Sequence, residues 1–162
     1  IVLATGYDAI TGTLNAMDIR GARGTRLRDV WRDGAMAYLG LMVPEFPNLF
    51  IMTGPGSPSV LSNMFVSIEQ HVELVLEVLA EAERRGVAVV DVDPRALESW
   101  EEHVAQIAER TLLATTDSWY VGANVPGKAR RFMPYAGGMS AFIEDCRSEL
   151  ADDFGGFVFR AR

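Results

Sequence analysis

The sequence predicts a mixed α/β fold, and three observations carry that reading. Long stretches at 63–85, 94–108 and 139–150 place apolar residues at three- and four-residue steps, the spacing of one helix face. Short apolar runs lie between them, bounded by the glycine, proline and aspartate that punctuate strands. The third observation is the join at 49–64. There the apolar run Leu49–Met52 breaks at Thr53-Gly54-Pro55-Gly56, and a helical pattern follows within a few residues. Strand, glycine-rich turn and helix in that order aim free backbone N–H groups at a ligand. The same residues also read as a plain loop between two core elements.

In chain order, Ile1–Ala4 followed by Gly6 reads as the end of a buried strand. A buried strand needs neighbours on both sides, so residue 1 is expected to lie inside a larger protein. Tyr7–Gly12 is a polar loop, and Leu27–Trp31 fits a short helix or an extended segment. Tyr38–Val43 reads as a strand stopped by Pro44, and Leu49–Met52 as another. The first long helix spans about Asn63 to Arg85, capped by Ser62 or Asn63 and ended by Gly86. Phe65, Ile68, Val72, Val75, Leu76 and Leu79 form its apolar stripe. Glu69, Glu73, Glu77 and Glu81 stack at four-residue spacing beside it, a mutual repulsion unless basic groups lie opposite.

Val87–Val92 reads as a strand, and Asp93-Pro94 starts a second helix on Leu97, Trp100, Val104, Ile107 and Ala108. Periodicity then disappears from Leu112 to Pro134, a length that marks a functional or mobile loop. A third helix follows on Met139, Phe142, Ile143, Cys146 and Leu150, and a short strand near Phe157 closes the chain. His71 and His103 have no metal-ligand partner at a suitable spacing, so no metal site is expected.

The formal net charge of −7 and the lack of a basic face argue against a nucleic-acid partner. No apolar run reaches membrane-spanning length, so no membrane partner is expected. The lone Cys146 allows no internal disulfide and fits a reducing, cytoplasmic setting.

Particular strings go further than periodicity. Ala4-Thr5-Gly6-Tyr7-Asp8, Gly54-Pro55-Gly56-Ser57-Pro58-Ser59, Ser62-Asn63-Met64, Ser67-Ile68-Glu69-Gln70-His71-Val72 and Ser118-Trp119-Tyr120-Val121-Gly122-Ala123-Asn124-Val125-Pro126-Gly127-Lys128 occur in that order. Together they resemble the C-terminal part of the Baeyer–Villiger flavin monooxygenases of the phenylacetone and cyclohexanone monooxygenase types. The resemblance implies the C-terminal portion of a flavoprotein with two Rossmann-like dinucleotide-binding domains, incomplete in this chain. Residues 1–43 would be the tail of the NADP-binding domain and the return to the FAD domain. Residues 44–162 would be the C-terminal part of the FAD-binding domain, with a mobile loop at 113–134. The implied cofactors are FAD and NADP, and the implied reaction inserts one atom of dioxygen next to a ketone carbonyl to give an ester or lactone.

The same resemblance implies roles for residues. Met64, with Asn63 and Gly54, would meet the flavin ring; Trp119, with Asn124 and Lys128, would bind NADP. Ser59, Val60, Leu61 and Met133 would line the ketone pocket. Structural readings stand beside these: Trp119 as a loop anchor and Met64 as packing. No G-x-G-x-x-G occurs, and the family's catalytic arginine falls outside the chain, so no catalytic residue is expected here and the chain alone should be inactive. It would need the missing N-terminal part. The alternatives are a related flavin enzyme oxidising nitrogen or sulfur, against which the Trp119–Lys128 string argues, and a non-catalytic truncated binding module.

Overall fold

The computed structural model describes residues 1–3 and 6–161. Its helices are α1 (Gly12–Ala16), α2 (Leu27–Val30), α3 (Met64–Arg84), α4 (Pro94–Glu109) and α5 (Met139–Ala151). Its strands are β1 (Val89–Val92) and β2 (Phe157–Arg160). The strands pair antiparallel, with Val89 opposite Arg160 and Val92 opposite Phe157.

Local chemistry explains the helix ends. The Asn63 side chain accepts from the Phe65 N–H at 3.0 Å and caps α3. At the other end the Val87 N–H reaches the Ala82 carbonyl and the Gly86 N–H reaches Glu83. These crossed bonds need a left-handed residue, which Gly86 supplies at φ 66°. Asp93 caps α4 by accepting from Arg95 N at 2.8 Å, with Pro94 in the first turn. Asn63→Ala should therefore lower the unfolding free energy by about 1 kcal/mol in urea titration, and Asn63→Ser should leave it nearly unchanged.

Two packed clusters form the interior. The larger joins Tyr38–Met42 to Leu74 and Val78 of α3, Val90 and Val92 of β1, Trp100 and Val104 of α4, and Phe142 of α5. The smaller joins Leu27 and Trp31 to Ala35, Val43, Phe46, Ile51 and Met133. Segment 35–43 thus contributes to both, tying the first third of the chain to the rest.

Three expectations are corrected. Tyr38–Val43 is buried but forms no strand, with only an isolated bridge between Tyr38 and Met42, and Leu49–Met52 is neither a strand nor wholly buried: Ile51 is buried, Leu49 and Phe50 are half-buried and Met52 is exposed. Leu39 and Gly40 interrupt the first run with positive φ, and Asn48 and Thr53, also at positive φ, bound the second on either side. The run at 49–52 is held instead by single backbone bonds, such as Ile51 N to Leu41 O at 2.7 Å. Ile1–Leu3 are exposed, not the buried end of a strand, and Ala4 and Thr5 lie outside the described residues. Lastly, the stripe read as the core face of α3 points outward: Phe65, Ile68, Val72, Leu76 and Leu79 are exposed, while Ser67, His71, Leu74, Val78 and Ala82 are buried.

Candidate functional site

The turn at 53–59 is the pivot of the site. Its backbone donors from Thr53 to Ser57 are all used inside the protein. Thr53 N–H donates to His71 Nδ1 at 2.8 Å, Gly54 N–H to Gly40 O at 2.9 Å, Gly56 N–H to Met133 O at 2.7 Å, and Ser57 N–H to Gly54 O at 3.1 Å. Pro55 has none to give. The glycines are there for close approach: a Cβ on Gly56 would sit 2.7 Å from the Ala37 carbonyl, and one on Gly54 2.8 Å from the Gly40 carbonyl. The turn is therefore a wall and not an anion cradle, so Gly54 can offer surface but no free donor.

The unused donors lie one step further on. Four N–H groups open any α-helix without intrahelical partners. The Asn63 cap takes that of Phe65, which leaves the Met64 N–H at the positive end of a 21-residue helix. Beside it is a cavity of about 200 Å³, lined among others by Met52, Thr53, Ser59, Val60, Met64 and Trp119. Thr53 (φ 52°) and Ser59 (φ 46°) hold left-handed conformations on this wall. Such strain in a β-branched residue is uncommon and needs support. His71 provides it for Thr53. The imidazole is fully buried, and burial lowers its pKa to about 4, so Nδ1 is free to accept the Thr53 N–H.

Loop 113–134 borders this cavity through Trp119, and two short 3-10 turns, Leu112–Thr115 and Trp119–Val121, shape its first half. Trp119 packs on Tyr120 at 4.3 Å between ring centroids. The hydroxyl of Ser118 is buried without a partner among the described residues. The indole N–H groups of Trp31 and Trp100 both reach backbone carbonyls, Met36 O at 3.0 Å and Gly56 O at 3.2 Å. Asn124 and Lys128 tie the loop to the start of the chain. Asn124 Nδ2 donates to Tyr7 O at 2.8 Å, and Lys128 Nζ to Asp8 Oδ1 and Thr11 Oγ1, both at 2.7 Å. Burial works to raise the Asp8 pKa, but hydrogen bonds from Lys128 and Thr11 outweigh it and hold the carboxyl below its usual range.

Of the residues singled out in the sequence, Gly54, Ser59, Val60, Met64 and Trp119 meet at one cavity. Asn63 caps the helix that carries Met64, and Leu61 ends the 3-10 turn Ser59–Leu61. Met133 is elsewhere: it is buried in the smaller cluster and is tied to the site through its backbone, accepting from Gly56 N–H and donating to Tyr120 O. His71, Trp100 and Ser118 were missed. Each acts on a residue distant in sequence or through an unpaired atom, and no local pattern signals either. A larger cleft of about 350 Å³ lies between α4 and α5, lined by Tyr38, His103, Asp145 and Glu149 among others. Its polar groups pair with one another, as in His103 Nε2 to Asp145 Oδ2 at 3.0 Å and the Tyr38 hydroxyl to Glu149. No group of three or more potential metal ligands occurs among the described residues.

A helix start with its first N–H unpaired among the described residues, a small cavity and an aromatic turn set against each other form a surface suited to part of a cofactor. The comparisons are more specific. No protein-family model matches the chain. It is 37% identical over 98% of its length to an acetone monooxygenase (methyl acetate-forming) of Gordonia sp. (strain TY-5), and 33% over 95% to a cyclohexanone 1,2-monooxygenase of Acinetobacter sp.. It is 34% identical over 99% of its length to a phenazine N-monooxygenase of Lysobacter antibioticus. These matches take in 30%, 28% and 29% of the relatives. In structure, 98% of the chain superimposes on 30% of cyclohexanone monooxygenase from Rhodococcus sp. Phi1 bound to NADP+, with a TM-score of 0.92 at 36% identity. OTEMO in complex with FAD and NADP matches with a TM-score of 0.87 at 33% identity, over 97% of this chain and 29% of that one. The chain is related in sequence and fold to the C-terminal part of the Baeyer–Villiger flavin monooxygenases, and it spans about 30% of the length of the curated relatives it matches.

Proposed function

We propose that this chain forms one wall of the active site of an FAD-dependent, NADPH-consuming monooxygenase that inserts one atom of dioxygen next to a ketone carbonyl, giving an ester or lactone. The observation that carries it is the convergence of Gly54, Ser59, Val60, Met64 and Trp119 on one cavity at the start of α3. The bound cofactors would supply the redox chemistry and the activation of dioxygen.

The residues present fit the edge of a flavin ring. The Met64 N–H has no partner among the described residues, the cavity walls are polar and apolar in nearly equal part, and the Ser118 hydroxyl, next to Trp119 in the chain, is a buried polar atom without a partner among the described residues. A cavity of about 200 Å³ is smaller than a whole dinucleotide needs, so the other walls would come from polypeptide beyond this chain. In this reading the α3 N-terminus faces the ring and stabilises negative charge there. Asn63 sets the direction of that helix end. Trp119 meets the NADP ribose, with Asn124 and Lys128 holding its loop against residues 7–11. Ser59, Val60 and Leu61 shape the ketone side, and Met133 supports them from behind. No residue of the chain is assigned as catalytic.

Residues 1–43 then form the tail of the NADP domain and its return, and 44–162 the closing part of the FAD domain. The complete burial of Leu39, Leu41, Met42 and Val43 suits such a return. No helix is long and apolar enough to cross a membrane among the described residues. A cytoplasmic enzyme acting on small molecules, with no nucleic-acid partner, fits these properties. A second reading, nitrogen oxidation, gains weight from the phenazine N-monooxygenase match, since it spans the Trp119–Lys128 string that argued against it.

The test is to express the full-length gene product and the 162-residue chain separately. The full-length protein is expected to bind FAD and to convert ketones to esters with NADPH; the chain alone should hold no stoichiometric flavin. An N-oxide from a phenazine and no ester would establish the second reading. Trp119→Ala should raise KM for NADPH about tenfold, the value of one lost hydrogen bond, without reducing FAD content.

A further inference from the structure

The buried face of α3 changes character along its length. From Leu74 onward it consists of Leu74, Val78 and Ala82, packed into the larger cluster. In its first two turns it consists of Ser67 and His71, 1% and 0% exposed. Burying a polar side chain costs free energy that an apolar one avoids, unless its hydrogen bonds are met. Ser67 and His71 lie one helical turn apart, and each bonds towards a different end of the cavity wall. His71 Nδ1 accepts the Thr53 N–H at 2.8 Å. Ser67 acts through Ser62: the Ser62 hydroxyl donates to Ser59 O at 3.2 Å, so Ser67 is the donor in the 2.6 Å bond between the two hydroxyls. Thr53 (φ 52°) and Ser59 (φ 46°) are the left-handed residues of the wall, and both line the cavity. Between them Gly54, Gly56 and Ser57 are pinned by backbone bonds. The shape of the wall is then set by its two ends, and residues with a Cβ keep such φ values only under constraint.

We propose that Ser67 and His71 are positioning residues that hold Ser59 and Thr53 left-handed from beneath, fix the shape of the pocket wall, and so set the bulk of ketone it admits. That the ligand is a ketone rests on the function proposed above; the hold on the wall rests on the hydrogen bonds alone. Neither side chain lines the cavity, so neither is a catalytic residue. The polar half of the buried face coincides with the wall, and the apolar half with the plain interior.

The experiment uses the full-length gene product. Ser67→Ala and His71→Leu are each made in the parent and in a background where the residue held is glycine, Ser59→Gly and Thr53→Gly respectively. Hydrogen exchange of peptides covering 52–62 reads the wall, and the ratio of kcat/KM for acetone and cyclohexanone reads the pocket. Each single variant is expected to speed exchange at least about tenfold and to shift the ratio at least about fivefold, with FAD content and KM for NADPH unchanged. In the glycine backgrounds the same substitutions should add little, because glycine takes a positive φ without support. Exchange and ratio unchanged in both single variants, with only the melting temperature lowered, would overturn the proposal and leave the pair as packing. So would effects that persist undiminished in the glycine backgrounds. Absence of bound flavin and of ester would discard the function proposed above, while faster exchange in the same variants would keep Ser67 and His71 as the hold on the wall.

Discussion

Trp100→Ala is expected to lower the unfolding free energy by about 3–5 kcal/mol, the range for deleting a buried indole. Trp100 is 6% exposed, stacks on Tyr135 at 5.6 Å and 6°, and meets the Phe142 edge at 6.1 Å. Its Nε1–H also donates to Gly56 O at 3.2 Å, inside the turn that walls the cavity. One side chain thus joins the interior packing of α4 and α5 to the candidate site. Trp100→Phe separates the two contributions. It keeps most of the packing and removes the tether, so about 1–2 kcal/mol should be lost in urea titration. In the full-length protein this milder variant should also weaken FAD binding. Unchanged stability and flavin affinity in Trp100→Phe would show that the tether to Gly56 contributes nothing.

The second large effect is one of pH. His71 is buried and titrates near 4, against 6.5 in an unfolded chain. Between those values the unfolded state binds the extra proton, so acid favours unfolding. Stability should fall by about 3 kcal/mol as pH drops from 6.5 to 4, at 1.36 kcal/mol for each unit of pKa difference. Glu81 does not obscure this window. Hydrogen bonds from Arg84 and Arg85 hold its pKa at about 2, so its contribution is lost only as pH falls from 4.5 towards 2. His71→Asn should flatten the profile above pH 4. The Thr53 turn should loosen with it, which slower hydrogen exchange of the Thr53 amide in the parent protein would report. A profile in the parent as flat as in His71→Asn would show that the imidazole is not held neutral by the fold.

The local reading succeeded where the physics is local. Asn63, Asp93-Pro94 and Gly86 mark helix ends because a cap, a fixed φ and a left-handed glycine act within one turn. The apolar run at 38–43 is buried but not straight, and the run at 49–52 is neither straight nor, apart from Ile51, fully buried. Burial follows composition, but a strand also needs unbroken extended φ and a continuous neighbour. Leu39 and Gly40 break the first condition in the first run, and left-handed Asn48 and Thr53 cut the second to four residues; among these residue types only glycine announces the break.

The candidate site divides along the same line. Recurrent strings singled out Gly54, Ser59, Val60, Met64 and Trp119, and these five do meet at the cavity. What holds them there was not legible: His71 under Thr53, Trp100 under Gly56, and Lys128 reaching Asp8 across more than a hundred residues. Those bonds exist only once distant segments pack, so no spacing encodes them. The stripe on α3 is the clearest case. By itself the sequence determined that this helix carries an apolar stripe from Phe65 to Leu79, because 3.6-residue periodicity sorts apolar residues onto a face. Only the tertiary structure decided which face the chain covers, because burial depends on the area a partner offers, and the chain has a partner for Leu74 and Val78 but none for Val72 and Leu76.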